Sequence, residues 1–203
     1  MGLFRKDPEN LSDERLMELV VRGQEQAFAT LFDRYRRQML TYFHRMLWQD
    51  RERAQDFLQE LFIKLAQQPA SYQQGRPFRT WLYSMANNMC KNEYRRMAVR
   101  AAAVPALKVL NNHAVEPDGG ARVDHEHFNA RLQDELDKLD PDHKATFVMR
   151  YQEDMAIKEI AASFGISEGT VKSRLFYTVR KLAAALPEFD PNPKQRTAPA
   201  TGQ

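Results

Sequence analysis

The stretch AIKEIAASFGISEGTVKSRLFYTVRKL, Ala156 to Leu182, decides how the rest of the chain is read. It holds two helical patterns joined by a tight turn. Ile157, Ile160 and Ala161 fall at i, i+3 and i+4, one face of a first helix. Phe164-Gly165-Ile166 follows, and Gly165 is free to take the positive φ of a sharp turn. Ser167 is a good N-cap, and Glu168 sets a negative charge in the first turn, where it meets the helix dipole. Val171, Leu175, Val179 and Leu182 are expected to form the inward stripe of the second helix. Its other face carries Thr170, Lys172, Ser173, Arg174, Phe176, Tyr177, Arg180 and Lys181, without a carboxylate. A buried stripe backed by a cationic face is helix-turn-helix grammar, with the second helix shaped for a DNA major groove. An ordinary helical hairpin with a basic outer face fits the same pattern.

The 203 residues suit one or two small domains. Net charge is only +3, so nucleic-acid binding requires the cations to cluster. They do so between Tyr72 and Arg100, where Arg76, Arg79, Lys91, Arg95, Arg96 and Arg100 stand against one acid, Glu93. Tyr72, Phe78, Trp81, Tyr83 and Tyr94 are interleaved with them. Cations neutralise phosphates, and aromatic faces stack unpaired bases. Asn87, Asn88 and Asn92 add groups able to hydrogen-bond base edges. This composition suits single-stranded DNA, because stacking needs bases already out of the duplex. Trp81, Leu82 and Met85 equally suit a core.

Other function classes find little support. The single cysteine, Cys90, excludes an internal disulfide and a Cys-based metal cluster, and reads as a small buried residue. His113, His125 and His127 lie scattered near acids with no closed ligand set, so neither metal nor cofactor is expected. Paired carboxylates, a Ser/His/Asp set and a Gly-rich phosphate loop are missing, so an enzyme is not expected. The start, MGLFRKDPEN, lacks the apolar core of a signal peptide, and no run approaches a membrane span. A cytoplasmic protein without membrane insertion is expected.

Few glycines and long stretches of 3.6-residue period argue for an all-α protein. Ser12 is expected to cap a helix with Leu16, Leu19 and Val20 inward, ended by Gly23. A longer pattern spans about Glu25 to Trp48, and another about Arg51 to Gln67. In the latter, Phe57, Leu58, Leu61, Phe62 and Leu65 point inward, while Asp56, Gln59, Glu60 and Ile63 share another face. Pro77 opens a helix from Phe78 to Met97. Regularity fades from Ala98 to Asp124, which reads as a linker. Helix resumes with Phe128, Leu132, Leu136 and Leu139 on one side. Pro141 starts another helix, with Phe147, Val148 and Tyr151 inward. The expected organisation is two small helical domains, 12–97 and 125–186, joined by a flexible linker over 98–124. The Pro-rich polar tail, 187–203, is expected to be disordered.

Several strings resemble one family. Glu168-Gly169-Thr170-Val171-Lys172-Ser173-Arg174-Leu175 resembles the recognition helix in region four of bacterial sigma factors, and its GTV-basic-SR core that of the extracytoplasmic-function (ECF) branch. Ala54 to Phe62, AQDFLQELF, resembles the D-x-x-Q-E-x-F helix of region two. Phe78 to Tyr83 with Ala86-Asn87-Asn88 and Lys91-Asn92 resembles the promoter-melting segment. Leu136 to Tyr151 resembles the lead-in to region four, with Asp140 a minor departure from the usual L-x-x-L-P.

The resemblance implies an alternative sigma factor that binds RNA polymerase core and directs promoter-specific initiation, without bond chemistry of its own. It implies that Asp56, Gln59, Glu60, Phe62 and Ile63 dock on the clamp coiled coil of the largest polymerase subunit. The minus-ten element would be melted and its flipped base held by Tyr72, Arg76, Tyr83, Asn87, Asn88, Lys91, Asn92 and Arg95. The duplex minus-35 element would be read by Thr170, Lys172, Ser173, Arg174, Phe176, Tyr177 and Arg180. Family members often carry Arg where Tyr177 stands. An anti-sigma partner is implied too, so that the chain is nucleoid-associated when active and can be held at the inner membrane when inhibited. The competing expectation is a helix-turn-helix regulator that binds duplex DNA without polymerase.

Overall fold

The computed structural model describes residues 10–103 and 121–189, and side chains except at 103 and 121–124. Eight α-helices make up the described chain, with no strand among these residues: α1 (Asp13–Val21), α2 (Glu25–Met46), α3 (Arg51–Gln67), α4 (Phe78–Ala103), α5 (Ala121–Asp137), α6 (Pro141–Phe147), α7 (Ile157–Phe164) and α8 (Glu168–Ala185). The helix starts follow their caps. Ser12, Asp50, Asp140 and Ser167 each accept a hydrogen bond from the backbone N–H two or three residues on, satisfying donors that the first turn leaves open. The first N–H of α4 is served from elsewhere in the chain: Phe78 N donates to Glu14 Oε1 of α1 at 3.1 Å.

Helices α1 to α4 form the N-terminal bundle, with α2 packed on α1 and α3, and α4 closing against α1, α2 and α3. Leu31, Met39, Tyr42, Phe43 and Met46 of α2 are fully buried at its centre. Each side chain of that kind contributes about 1.5–3 kcal/mol when removed from water. Helices α5 to α8 form the C-terminal module, in which α8 packs on α5, α6 and α7. The two modules are in contact: α4 packs against α6 and α7, and one continuous apolar core runs from Leu16 to Leu175.

Several sequence expectations need correction. Helix α4 runs six residues past Met97, and α5 begins before residue 125, so the expected linker is shortened from both ends. The described part of the tail, Pro187–Phe189, is a 3-10 turn whose Phe189 ring packs on Phe128. The expected linker residues 104–120 and tail residues 190–203 lie outside the described residues. In α8 the inward stripe is Val171, Leu175, Thr178 and Leu182, while Val179 is exposed. Three-residue and four-residue steps alternate along one helical face, and from Leu175 the shorter step to Thr178 meets the core. Tyr151 also points outward, at 56% exposure. It sits in a π-helical turn, Val148–Gln152, which rotates the chain away from the α6 period.

Candidate nucleic-acid interface

The turn between α7 and α8 positions the second helix of the helix-turn-helix. Gly165 has φ 66°, the left-handed conformation that favours glycine and ends α7. Ser167 Oγ then accepts from Thr170 N at 3.0 Å to start α8. With Val171, Leu175 and Leu182 buried, the opposite face presents Lys172, Ser173, Phe176, Tyr177 and Arg180, all exposed. Phe176 and Tyr177 are 62% and 59% exposed, and their rings pack edge to face, 5.5 Å between centroids. Large aromatic groups left in water beside cations are poised for a partner. Thr170 is exposed at the rim, its Oγ1 2.9 Å from Ser167 Oγ. Arg174, expected on this face, is turned away: its Nη2 donates to Asp142 Oδ2 of α6 at 3.0 Å.

Helix α4 and the loop before it are arranged differently from the expectation. Tyr72 is buried, its OH donating to Arg76 O and its ring packed on Phe78 and Trp81. Tyr83 is fully buried; its OH donates to Glu153 Oε2 at 2.7 Å and its ring packs edge-on to Tyr42. Neither ring is available to stack a base in this arrangement. Asn87 is buried too, and its Oδ1 has no hydrogen-bond partner among the described residues. Asn88, Asn92 and Arg95 are exposed. Lys91 is half-buried and pairs with Asp142 at 2.7 Å. Burial pulls the Asp142 carboxyl up, but Lys91 and Arg174 outweigh it and hold the group below its usual range.

Asn88 and Arg76 meet at a recess of about 310 Å³, which Lys64, Gln68, Ser71, Trp81, Ser84 and Met85 complete. Its volume lies at the low end of small-ligand sites, and its wall is part apolar and part polar. Lys64, Gln68 and Ser71 had no signal in the sequence, because they come from the end of α3 and the 3-10 turn Pro69–Ser71, brought to α4 only by folding. On α3 itself, Asp56, Gln59, Glu60 and Ile63 are all exposed. Glu60 pairs with Lys64 at 2.6 Å. Phe62 is not on that strip: it is 4% exposed, with its ring against Phe28 and Phe32. Cys90 is fully buried, and burial pushes its thiol well up, as befits an inert core residue. No cluster of metal-ligating side chains forms among the described residues.

Comparison with known proteins adds the family to this geometry. Residues 31–100 match the family model for sigma-70 region 2, and residues 129–182 that for sigma-70 region 4. The ECF RNA polymerase sigma factor SigL of Mycobacterium tuberculosis is 32% identical over 142 residues, 69% of this chain and 78% of SigL. The chain belongs to the ECF sigma factors. It is a promoter-directing transcription initiation factor. The ECF sigma factor BldN of Streptomyces coelicolor is 27% identical over 188 residues, 91% of this chain and 70% of BldN. The fold is shared with sigma factor RpoE in its complex with the anti-sigma factor NepR from Bartonella quintana: TM-score 0.65, 17% identity, 80% of this chain and 98% of that one. In this sigma factor the region 2 match covers most of α2, all of α3 and most of α4, and the region 4 match covers the second half of α5 and all of α6 and α7, ending in α8 at Leu182.

Proposed function

We propose that the two regions divide promoter recognition between duplex and single strand. The carrying observation is the bare cationic face of α8, held by a buried stripe behind it. Lys172, Ser173, Phe176, Tyr177 and Thr170 are placed to meet base edges of the minus-35 element in the major groove, with Arg180 on phosphate. Arg174 enters this set only by leaving Asp142. The recess at Asn88 and Arg76 takes a base extruded from the minus-ten element, with Lys91, Asn92 and Arg95 following its phosphates. Asn87, Tyr72 and Tyr83 support that surface from behind. The exposed strip Asp56, Gln59, Glu60 and Ile63 docks on the polymerase clamp coiled coil, with Phe62 fixing the helix beneath it.

The chain carries out no bond chemistry itself; polymerase does. An anti-sigma partner is proposed because a protein of the same fold, RpoE of Bartonella quintana, is seen in complex with one. The working site is the cytoplasm, at the nucleoid when active and at the inner membrane when such a partner holds it there. Among the described residues no helix is long and apolar enough to cross a membrane.

Run-off transcription tests this function. Polymerase core plus this chain is expected to start at a defined promoter that core alone ignores. Absence of a transcript, with the chain alone protecting a palindrome, would establish a duplex-binding regulator instead.

A further inference from the structure

Helix α8 carries two stripes of identical spacing. Val171, Leu175, Thr178 and Leu182 recur at i, i+4, i+7 and i+11 and are buried. Gly169, Ser173, Phe176 and Arg180 repeat that spacing two residues earlier, and all are exposed. Two residues are about 200° of helical turn, so the second stripe lies almost opposite the first. Phe176 therefore stands in the middle of the free face, with Tyr177 beside it.

The two ends of this face differ. Gly169 and Ser173 are slim: among the described residues, a Cβ added at Gly169 would meet only Ser167 Oγ, at 3.6 Å. Slim residues let the start of the helix come close to what it binds, and the N-terminal residues of a recognition helix are those that reach base edges. Further along stand the rings of Phe176 and Tyr177, packed edge to face with centroids 5.5 Å apart. Each ring holds the other in place, so little freedom is lost when a partner covers them. Lys172, Arg180 and Lys181 flank the pair, exposed and without an ion pair among the described residues. A cationic rim of this kind suits a polyanion.

What such rings can gain on paired DNA is narrow. They cannot stack, because bases in a duplex have no free face. Phe176 has no hydrogen-bonding side chain to offer. Base edges in the major groove present acceptors, amino donors and a single kind of apolar group, the C5-methyl of thymine. A ring laid over a polar edge strips its water and returns no hydrogen bond. Over a methyl group it removes two apolar surfaces from water at once.

We propose that Phe176 and Tyr177 form a reader of thymine methyl groups in the minus-35 element. The proposal rests on the assignment of α8 to that duplex. Centroids 5.5 Å apart cover between one and two base-pair steps of roughly 3.4 Å, so the methyl groups lie within two base pairs of each other.

Uracil in place of thymine removes the methyl and keeps the pairing and every hydrogen-bonding atom. The test uses polymerase core loaded with the full chain. Promoter fragments are first selected from a pool randomised across the minus-35 element, and each thymine of the selected element is then replaced by uracil in turn. Loss of one covered methyl is expected to weaken fragment binding about fourfold, at positions no more than two base pairs apart. The uracil effect is expected to vanish in the double variant Phe176→Ala, Tyr177→Ala and to persist in Tyr177→Phe, which keeps the ring. A selected element without thymine, uracil tolerated at every position, an undiminished effect in the double variant or its loss in Tyr177→Phe overturns the proposal. So does a fall in core affinity in the double variant, which would place the rings on polymerase. If no preferred sequence emerges from the randomised positions, the assignment of α8 fails and the proposal with it. A clear preference with uracil tolerated throughout removes the methyl reader alone.

Discussion

Helices α4 and α8 are both rich in cations and aromatics, yet their side chains have opposite surroundings. On α8 the apolar groups form one stripe and the cations another, so Phe176 and Tyr177 are left in water beside Lys172 and Arg180. On α4 the bundle packs one side and α6 and α7 pack the other. Phe78, Trp81, Leu82, Tyr83, Ala86, Met89 and Cys90 are all buried as a result, and Tyr94 donates to Met46 O. A helix pressed from two sides needs apolar residues around most of its circumference, which in sequence resembles an aromatic strip for stacking bases. On α4 it is therefore the exposed groups, Asn88, Asn92 and Arg95, and not its aromatic content, that are free to meet a partner.

The largest expected effect separates two phenylalanines. Phe78→Ala in α4 should lower unfolding free energy by about 3–5 kcal/mol, as for a fully buried aromatic. Phe176→Ala in α8 should stay within about 0.5 kcal/mol, because the ring is on the surface. Urea denaturation followed by circular dichroism measures both, and equal losses would erase the contrast. A smaller effect tests how the helices begin. Ser167→Ala should cost about 1 kcal/mol through loss of the α8 cap. A stability unchanged in the same assay would mean that α8 draws its start from tertiary packing, as α4 does through Glu14. Smaller still is a difference in salt dependence. Lys172→Ala should reduce the slope of log affinity against log salt for duplex minus-35 DNA by about 1. Asn88→Ala should leave that slope as it was, and a shift there would place Asn88 on the duplex.

How much was legible in the sequence follows the same contrast. The bounds of α3, the caps at Ser12 and Ser167, the helix start at Pro141 and the turn at Gly165 were readable because short-range rules set them. The burial of Phe62 was readable from its period; the resemblance to a docking motif assigned it to the surface as well. The burial of Tyr72 and Tyr83 was not legible, because their partners, Trp81 and Glu153, are fixed only by tertiary packing. Nothing local announces that Glu153 will meet Arg45, 108 positions away. The π-helical turn that makes this possible breaks the helical period without a glycine or proline to mark it. The recess at Asn88 was half legible, since only its α4 side lies in one continuous stretch.

The central claim is that α4 captures unpaired promoter DNA while α3 holds polymerase. Permanganate reactivity of minus-ten thymines, measured with polymerase core and either the unchanged chain or Asn88→Ala, tests it most directly, alongside the affinity of each chain for core. Asn88→Ala should lose most of the thymine reactivity at unchanged core affinity, and Asp56→Ala should lose core affinity first. Full reactivity with Asn88→Ala at saturating core, or equal losses in both measurements for both variants, would contradict it.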